Sequence, residues 1–131
     1  MIVIDTSALM AILQKESEEP ACLSALEGQQ PLISTVTLAE ARIVAMGRNV
    51  EDEMERLLEA LAPEVLSVTP AGSRQVVETY RNWGKGRHPA GLNFADCFAY
   101  QLARERNIAL LYVGKDFART DIRSALQATD S

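Results

Sequence analysis

The chain has 131 residues, 47% of them hydrophobic and 24% charged, which is typical of a single soluble globular domain. No apolar run is long enough to cross a bilayer, no signal peptide is apparent, and the two cysteines lack the spacing of a disulfide scaffold or zinc site, so we expect a cytoplasmic protein. The net charge of −5 speaks against nucleic-acid binding, but it becomes nearly neutral if four acids belong to a metal site, so charge alone does not exclude an RNA substrate.

Strands and helices are predicted to alternate along the chain. The apolar runs predict a buried strand at residues 2–5 and further strands at 31–34, 65–68 and 109–113. Capping residues and apolar periodicity predict helices at 8–14, 17–27, 35–47, 51–61, 70–83 and 93–106, and the glycine-rich stretch 84–91 predicts a loop. This alternation indicates an α/β fold with a mainly parallel central sheet of four or five strands.

Asp5 directly follows the first predicted strand. The carboxyl end of such a strand points toward the crevice where open α/β sheets bind ligands. A lone carboxylate buried there is unfavourable unless a cation offsets its charge. Thr6 and Ser7, which follow it, either cap the next helix or hydrogen-bond a carboxylate that binds a ligand.

Two further acids lie on predicted helices. Glu40 shares a helical face with Ile43 and Val44, which we expect to be the buried face, unless Glu40 lies at its edge and reaches water. Asp96 follows Asn93 in the first turn of its helix, where it either borders the apolar face or interacts only with the helix dipole.

Asp116 and Asp121 follow the last predicted strand. Each is explained singly as a turn residue, a helix cap or an exposed side chain. However, Asp116 lies beyond a strand end, as Asp5 does, and Glu40 and Asp96 are expected nearby. Several carboxylates in one crevice repel one another unless protons or cations lie between them, and hard oxygen ligands favour Mg²⁺ or Mn²⁺.

Four motifs occur in a characteristic order. They are IVIDTSA at residues 2–8, the predicted helix that contains Glu40, LNFADC at 92–97, and GKDFARTDI at 114–122. Together they resemble the PIN domain and, more narrowly, the VapC toxins of type II toxin–antitoxin systems. The resemblance covers essentially the whole chain and implies one domain, residues 1–131, with three α/β/α layers.

The resemblance also implies a function. It implies an endoribonuclease dependent on Mg²⁺ or Mn²⁺, with Asp5, Glu40, Asp96 and Asp116 as catalytic metal ligands. Asp121 is the alternative fourth ligand, although the family pattern favours Asp116. Cleavage would leave a 5′-phosphate and a 3′-hydroxyl. Residues expected to support the ligands or to contact substrate are Thr6, Ser7, Asn93, Thr120, Asp121 and Arg87.

The implied partners are a VapB-like antitoxin, which inhibits the enzyme, and a second copy of the chain in a homodimer. Five apolar side chains are candidates either for the core or for a groove that receives the antitoxin: Met46, Met54, Leu57, Leu58 and Leu61. The predicted loop contributes positive charge from Lys85, Arg87 and His88 beside the expected site. With Trp83 it either tracks an RNA backbone or forms a solvated loop with the indole in the core.

Two other classes of protein compete with this interpretation. A receiver domain that accepts a phosphoryl group on aspartate is also a small acidic α/β protein, but it normally pairs two acids after the first strand, and Asp5 has no acidic neighbour. A PIN-like module without activity would bind RNA or protein only. The set of acids, in which none is missing, argues against that alternative.

Overall fold

The computed structural model describes residues 1–126, which form a four-stranded sheet with six α-helices packed on it. The strands are β1 (Ile2–Ile4), β2 (Pro31–Ser34), β3 (Glu64–Leu66) and β4 (Leu110–Leu111). The helices are α1 (Thr6–Leu13), α2 (Glu19–Leu26), α3 (Thr35–Gly47), α4 (Glu51–Leu61), α5 (Pro70–Trp83) and α6 (Phe94–Arg106), and a 3₁₀ turn follows at Phe117–Arg119. The predicted single domain extends to residue 131, so its last five residues lie outside this description.

The sheet is parallel throughout and has the strand order β3-β2-β1-β4. Val3 in the centre pairs with Leu32 of β2 and with Leu110 of β4. All three side chains are fully buried, and each such burial stabilises the fold by roughly 1.5–3 kcal/mol. The predicted α/β class with a mainly parallel sheet of four or five strands is therefore confirmed.

Alternate residues of the central strand contact opposite helix layers. Ile2 and Ile4 pack in one core with residues of α1, α2, α3 and α4. Val3 packs in the other core with residues of α5 and α6. Because successive strand side chains point to opposite faces, this division gives the three α/β/α layers that the resemblance implies.

The connections place a crevice beside β1. The chain reaches β2 and β3 through helices on one face of the sheet and reaches β4 through α5 and α6 on the other face. The strand order therefore reverses between β1 and β4. In open α/β sheets, ligands bind outside the carboxyl ends of the strands at such a reversal. Asp5 follows β1 and Asp116 follows β4 at this position.

Several predicted boundaries are corrected by the structure. Helix α1 begins at Thr6 rather than at residue 8, and its N-cap is Asp5, not Thr6 or Ser7. Strand β3 covers 64–66 rather than 65–68, and β4 covers only two residues of the predicted 109–113. The edge strand β3 is mostly exposed, so burial does not fix its limits there.

The prediction for the buried face of α3 was only partly correct, because Val44 packs against the core but Ile43 does not. The buried residues of α3 are Thr37, Ala41 and Ala45, whereas the side chain of Ile43 is 62% exposed. Glu40 is partly buried at the edge of this face, beside the crevice. Since α3 is apolar on most sides, its periodicity does not identify which stripe packs inward.

In the described part of the chain, 1–126, every helix is too short or too polar to cross a membrane.

Candidate active site

An open crevice of about 440 Å³ lies at the carboxyl ends of β1 and β4. Its lining includes three of the four acids proposed from the sequence, namely Asp5, Glu40 and Asp96. The fold therefore brings together side chains that are far apart in the sequence and come from three different elements: the end of β1, the middle of α3 and the first turn of α6.

Asp5 is the most buried of these acids, with 4% of its surface exposed. Its Oδ2 accepts hydrogen bonds from the backbone N–H of Ser7 at 3.0 Å and from the Ser7 hydroxyl at 2.6 Å. Its Oδ1 is also buried but has no hydrogen-bond partner within residues 1–126. Burial raises the pKa of Asp5 to about 6, with a smaller contribution from the charge of Glu40, although the Ser7 hydrogen bonds lower it. The unsatisfied oxygen makes Asp5 a place where a cation would be stabilising.

Thr6 and Ser7 hold two of the carboxylates. The Thr6 hydroxyl donates to Glu40 Oε1 at 2.6 Å. The Ser7 hydroxyl, besides donating to Asp5, accepts from the backbone N–H of Val113 at 2.9 Å. Ser7 thereby links the end of β1 to the residues after β4 and fixes the orientation of the Asp5 carboxylate.

Asp96 is placed by the start of α6. Asn93 caps this helix, with its Oδ1 accepting from the Asp96 N–H at 2.8 Å, and Asp96 Oδ2 accepts in return from the Asn93 N–H at 2.9 Å. This reciprocal capping box fixes one oxygen of Asp96. The pKa of Asp96 is raised to about 7, mainly by burial and to a smaller extent by the charges of Asp5, Glu40 and Asp116, although the hydrogen bond from Asn93 lowers it.

Asp116 and Asp121 have different surroundings. Asp116 is exposed, but it lies close enough to Asp96 to raise the pKa of that carboxyl. Asp121 instead accepts a hydrogen bond from the Tyr100 hydroxyl and faces Arg104 Nη1 at 3.5 Å. Its charge is thus already partnered, so the geometry favours Asp116 as the fourth acid. Gly114, at φ 110°, turns the chain from β4 toward Asp116 in a conformation that side chains rarely adopt.

The other residues proposed from the sequence do not line the crevice. Thr120 Oγ1 donates to the Phe117 carbonyl at 2.7 Å and accepts from the Ile122 N–H, so it stabilises its own turn. Arg87 is exposed and does not line the crevice. The ring of His88 packs edge-on against Trp83 at 4.7 Å, so the indole is a partly buried packing residue.

Sequence reasoning missed Arg48, which lines the crevice with the acids. It caps the carboxyl end of α3 and donates from its guanidinium to Gln14 Oε1 at the end of α1. Arg48 lies eight residues after Glu40, about two helical turns, and this spacing could have indicated that both lie on the same side of the helix. The contact with Gln14 depends on the packing of α1 against α3 and is invisible in the sequence.

The acids do not form a closed metal cage. In the described residues, no group of three or more His, Cys, Asp or Glu side chains is arranged to hold a metal ion. One carboxylate oxygen in each of Asp5, Glu40 and Asp96 accepts a hydrogen bond from another protein group. The candidate ligand atoms are nevertheless all carboxylate oxygens, and Asp5 Oδ1 has no hydrogen-bond partner in the part of the chain that the structure describes. This chemistry fits a hard divalent cation better than zinc.

Comparisons with known proteins identify the family of this chain. The model of the PIN domain family matches residues 2–123. Ribonuclease VapC30 of Mycobacterium tuberculosis is 38% identical over 125 residues, covering 92% of this chain and 95% of the relative. Ribonuclease VapC of Mycolicibacterium smegmatis is 36% identical over 126 residues, covering 92% and 97%.

Solved structures show the same fold at lower identity. Mycobacterium tuberculosis VapC20, described as a toxin that cleaves the sarcin–ricin loop, has a TM-score of 0.73 at 16% identity and covers 93% of this chain and 96% of its own. VapBC2 from Rickettsia felis, bound to a promoter DNA fragment, has a TM-score of 0.70 at 16% identity and covers 95% and 96%. A toxin–antitoxin complex from Klebsiella pneumoniae has a TM-score of 0.68 at 20% identity and covers 92% and 93%.

The chain belongs to the PIN domain family and, within it, to the VapC ribonucleases. This membership excludes the receiver-domain alternative. The roles of the individual acids stay predictions, supported by where the fold places them.

Proposed function

We propose that this chain is an endoribonuclease that requires Mg²⁺ or Mn²⁺ and acts as the toxin of a type II toxin–antitoxin pair. The observation that carries the proposal is Asp5 Oδ1, a buried carboxylate oxygen that has no hydrogen-bond partner within residues 1–126, in a crevice with Glu40 and Asp96. Without a cation this arrangement is costly, since each negative charge opposes the ionisation of the others.

In this proposal, Asp5 and Asp96 hold the ion, and Glu40 and Asp116 complete its surroundings. When bound, the ion lowers the pKa of a water molecule and offsets negative charge on the scissile phosphate. Ser7 keeps the Asp5 carboxylate in one orientation through its two hydrogen bonds. Thr6 does the same for Glu40. In-line attack by water would leave a 5′-phosphate and a 3′-hydroxyl.

We also propose that a VapB-like antitoxin inhibits the enzyme in the cytoplasm and that the chain forms a homodimer. Solved structures of similar fold contain toxin and antitoxin together. Of the five apolar residues considered for a groove, Met54 and Leu58 are buried in the core. Met46 is 54% exposed, and with the exposed Ile43 it offers an apolar surface on α3 for the antitoxin.

A cleavage assay tests the enzymatic proposal. Purified protein should cleave cellular RNA with Mn²⁺, lose this activity in EDTA and regain it when Mn²⁺ is restored. Asp96→Asn should lower cleavage at least about 100-fold, because it removes a charge that would hold the ion.

Asp121→Asn is the matched control for this assay, because Asp121 contacts Tyr100 and Arg104 instead of the crevice acids. It should retain activity within a few-fold, whereas Asp116→Asn should not. Circular dichroism shows whether each variant is folded. Full activity of folded Asp96→Asn, or of the wild type in EDTA, would exclude the proposed mechanism.

A further inference from the structure

We propose that Arg48 is an RNA-binding residue of the crevice, whose guanidinium holds a phosphate that flanks the scissile one. The inference rests on the proposed ribonuclease function and assigns to it a specific substrate contact. Arg48 is the one Lys or Arg among the crevice-lining residues that the structure describes.

The position of Arg48 suits a flanking phosphate. It caps α3, where its backbone N–H donates to the Val44 and Ala45 carbonyls at 3.2 Å. Eight residues separate it from Glu40, which corresponds to roughly 12 Å along the helix axis. Both Glu40 and Arg48 line the same crevice. A phosphate contacted by Arg48 would therefore be a neighbour of the one cleaved beside the acids.

Within residues 1–126, the charge and most of the N–H donors of the Arg48 guanidinium are not used by other protein groups. Its contact is with the neutral amide oxygen of Gln14, and within residues 1–126 it forms no ion pair with an acid. Arg42 differs, because its guanidinium donates twice to Glu55, at 2.9 and 3.1 Å. Arginine has five N–H donors in a planar fork that matches phosphate, and within the described residues most of those of Arg48 have no partner.

The electrostatics of the crevice favour a basic residue that contacts the substrate. Asp5, Glu40, Asp96 and the nearby Glu16 line the crevice, so its field repels an RNA backbone until cations offset it. The net charge of the chain is −5 and adds no general attraction. The basic loop at 84–91 does not line this crevice. Arg48 supplies positive charge inside it.

Arg48→Gln tests the inference, with Arg42→Gln as the matched control on the same helix. Cleavage of a short single-stranded RNA with Mn²⁺ is measured over a series of salt concentrations. Arg48→Gln should raise KM about tenfold and leave kcat within about twofold, because a charged hydrogen bond to a non-reacting phosphate is lost. Its plot of log KM against log salt should be shallower by about 0.7, the value for one phosphate contact.

Two further variants separate substrate binding from structural support. Arg48→Lys keeps the charge, so it should retain the salt dependence of the wild type and recover much of its affinity. Arg42→Gln should match the wild type throughout. Mn²⁺ binding, measured by calorimetry, should not weaken in Arg48→Gln, since removing a nearby cation does not disfavour a metal.

Three results would overturn the inference. They are a wild-type KM and salt dependence in Arg48→Gln, a fall in kcat alone, and tighter Mn²⁺ binding without any change in RNA affinity. If the wild type fails to cleave RNA at all, the proposed function fails instead. The affinity of Arg48→Gln for labelled RNA, measured by fluorescence anisotropy, still tests the phosphate contact in that case.

Discussion

At the scale of single residues, the two oxygens of Asp5 have opposite environments. Oδ2 accepts two hydrogen bonds from Ser7, which fix the side chain, while Oδ1 is buried and has no partner among the described residues. A buried carboxylate oxygen without a hydrogen bond lowers the free energy of unfolding, but it is available to bind a cation. The cost in stability and the proposed function therefore arise from the same atom.

Asp5→Asn should separate stability from activity. Asparagine can still cap α1 but carries no charge, so the metal-free variant should melt at or above the temperature of the metal-free wild type at pH 8. Its melting temperature should also stop responding to Mn²⁺. Differential scanning fluorimetry with and without EDTA measures both effects. A marked loss of stability in EDTA would show that the charge itself supports the fold.

Ser7→Ala should reduce activity without removing any proposed ligand. The variant loses the 2.6 Å hydrogen bond to Asp5 and the contact with the Val113 N–H. Loss of a group that orients a metal ligand typically costs 10–100-fold in affinity or activity, so a fall in cleavage of about that size is expected. Ser7→Thr retains the hydroxyl and should recover activity. Equal rates for Ser7→Ala and the wild type would mean that Asp5 needs no such support.

At the scale of elements, the start of α6 positions Asp96 through the capping box with Asn93. The same two hydrogen bonds begin the helix and orient the carboxylate. Buried Ala99 and Ala103 lie one and two turns further on and allow this helix to pack closely in its core. A change in the cap is therefore expected to affect both helix stability and the site.

Asn93→Ala should lower the free energy of unfolding by about 1 kcal/mol, the usual effect of removing an N-cap side chain. It should also weaken Mn²⁺ binding, because the backbone N–H of Asp96 loses the Asn93 Oδ1 acceptor that helps to position this residue. Urea denaturation and calorimetry measure the two effects. Asn93→Asp, which caps equally well, should retain stability but adds a charge to the site. A stable Asn93→Ala variant with unchanged Mn²⁺ affinity would contradict this dual role.

The fold class could be predicted from the sequence because it follows from short local patterns of apolar and polar residues. Apolar runs with acids at their ends indicated a parallel sheet and made Asp5 and Asp116 candidate ligands. The cap of α1 was harder, since Asp5, Thr6 and Ser7 are all good capping residues and only the backbone conformation decides between them. The buried face of α3 and the position of Arg48 depend on how α1 and α3 pack, which no local pattern reports.

At the scale of the whole molecule, the raised pKa values predict how stability depends on pH. The pKa values of Asp5 and Asp96 are about 6 and 7 in the folded chain, above the value of about 3.9 for an unfolded aspartate. Between pH 4 and 7 the folded state therefore binds more protons than the unfolded state. The free energy of unfolding of the metal-free protein should fall as pH rises through this range.

Mn²⁺ should reverse this trend, because it binds the deprotonated carboxylates and stabilises only the folded state. Melting temperatures from pH 5 to pH 8, with EDTA or with Mn²⁺, test the expectation. In Asp5→Asn the dependence on pH should weaken, since one of the two groups no longer titrates. A metal-free wild type that becomes more stable from pH 5 to pH 7 would contradict the assigned pKa values.

The measurement that most directly tests the central claim is the mapping of RNA ends produced by purified wild type and Asp5→Asn with Mn²⁺. We predict that the wild type generates discrete fragments with 5′-phosphate and 3′-hydroxyl ends, and that Asp5→Asn and the wild type in EDTA generate none. Fragments with cyclic phosphate ends, or the same fragments from Asp5→Asn, would contradict a metal-dependent site built on these four acids.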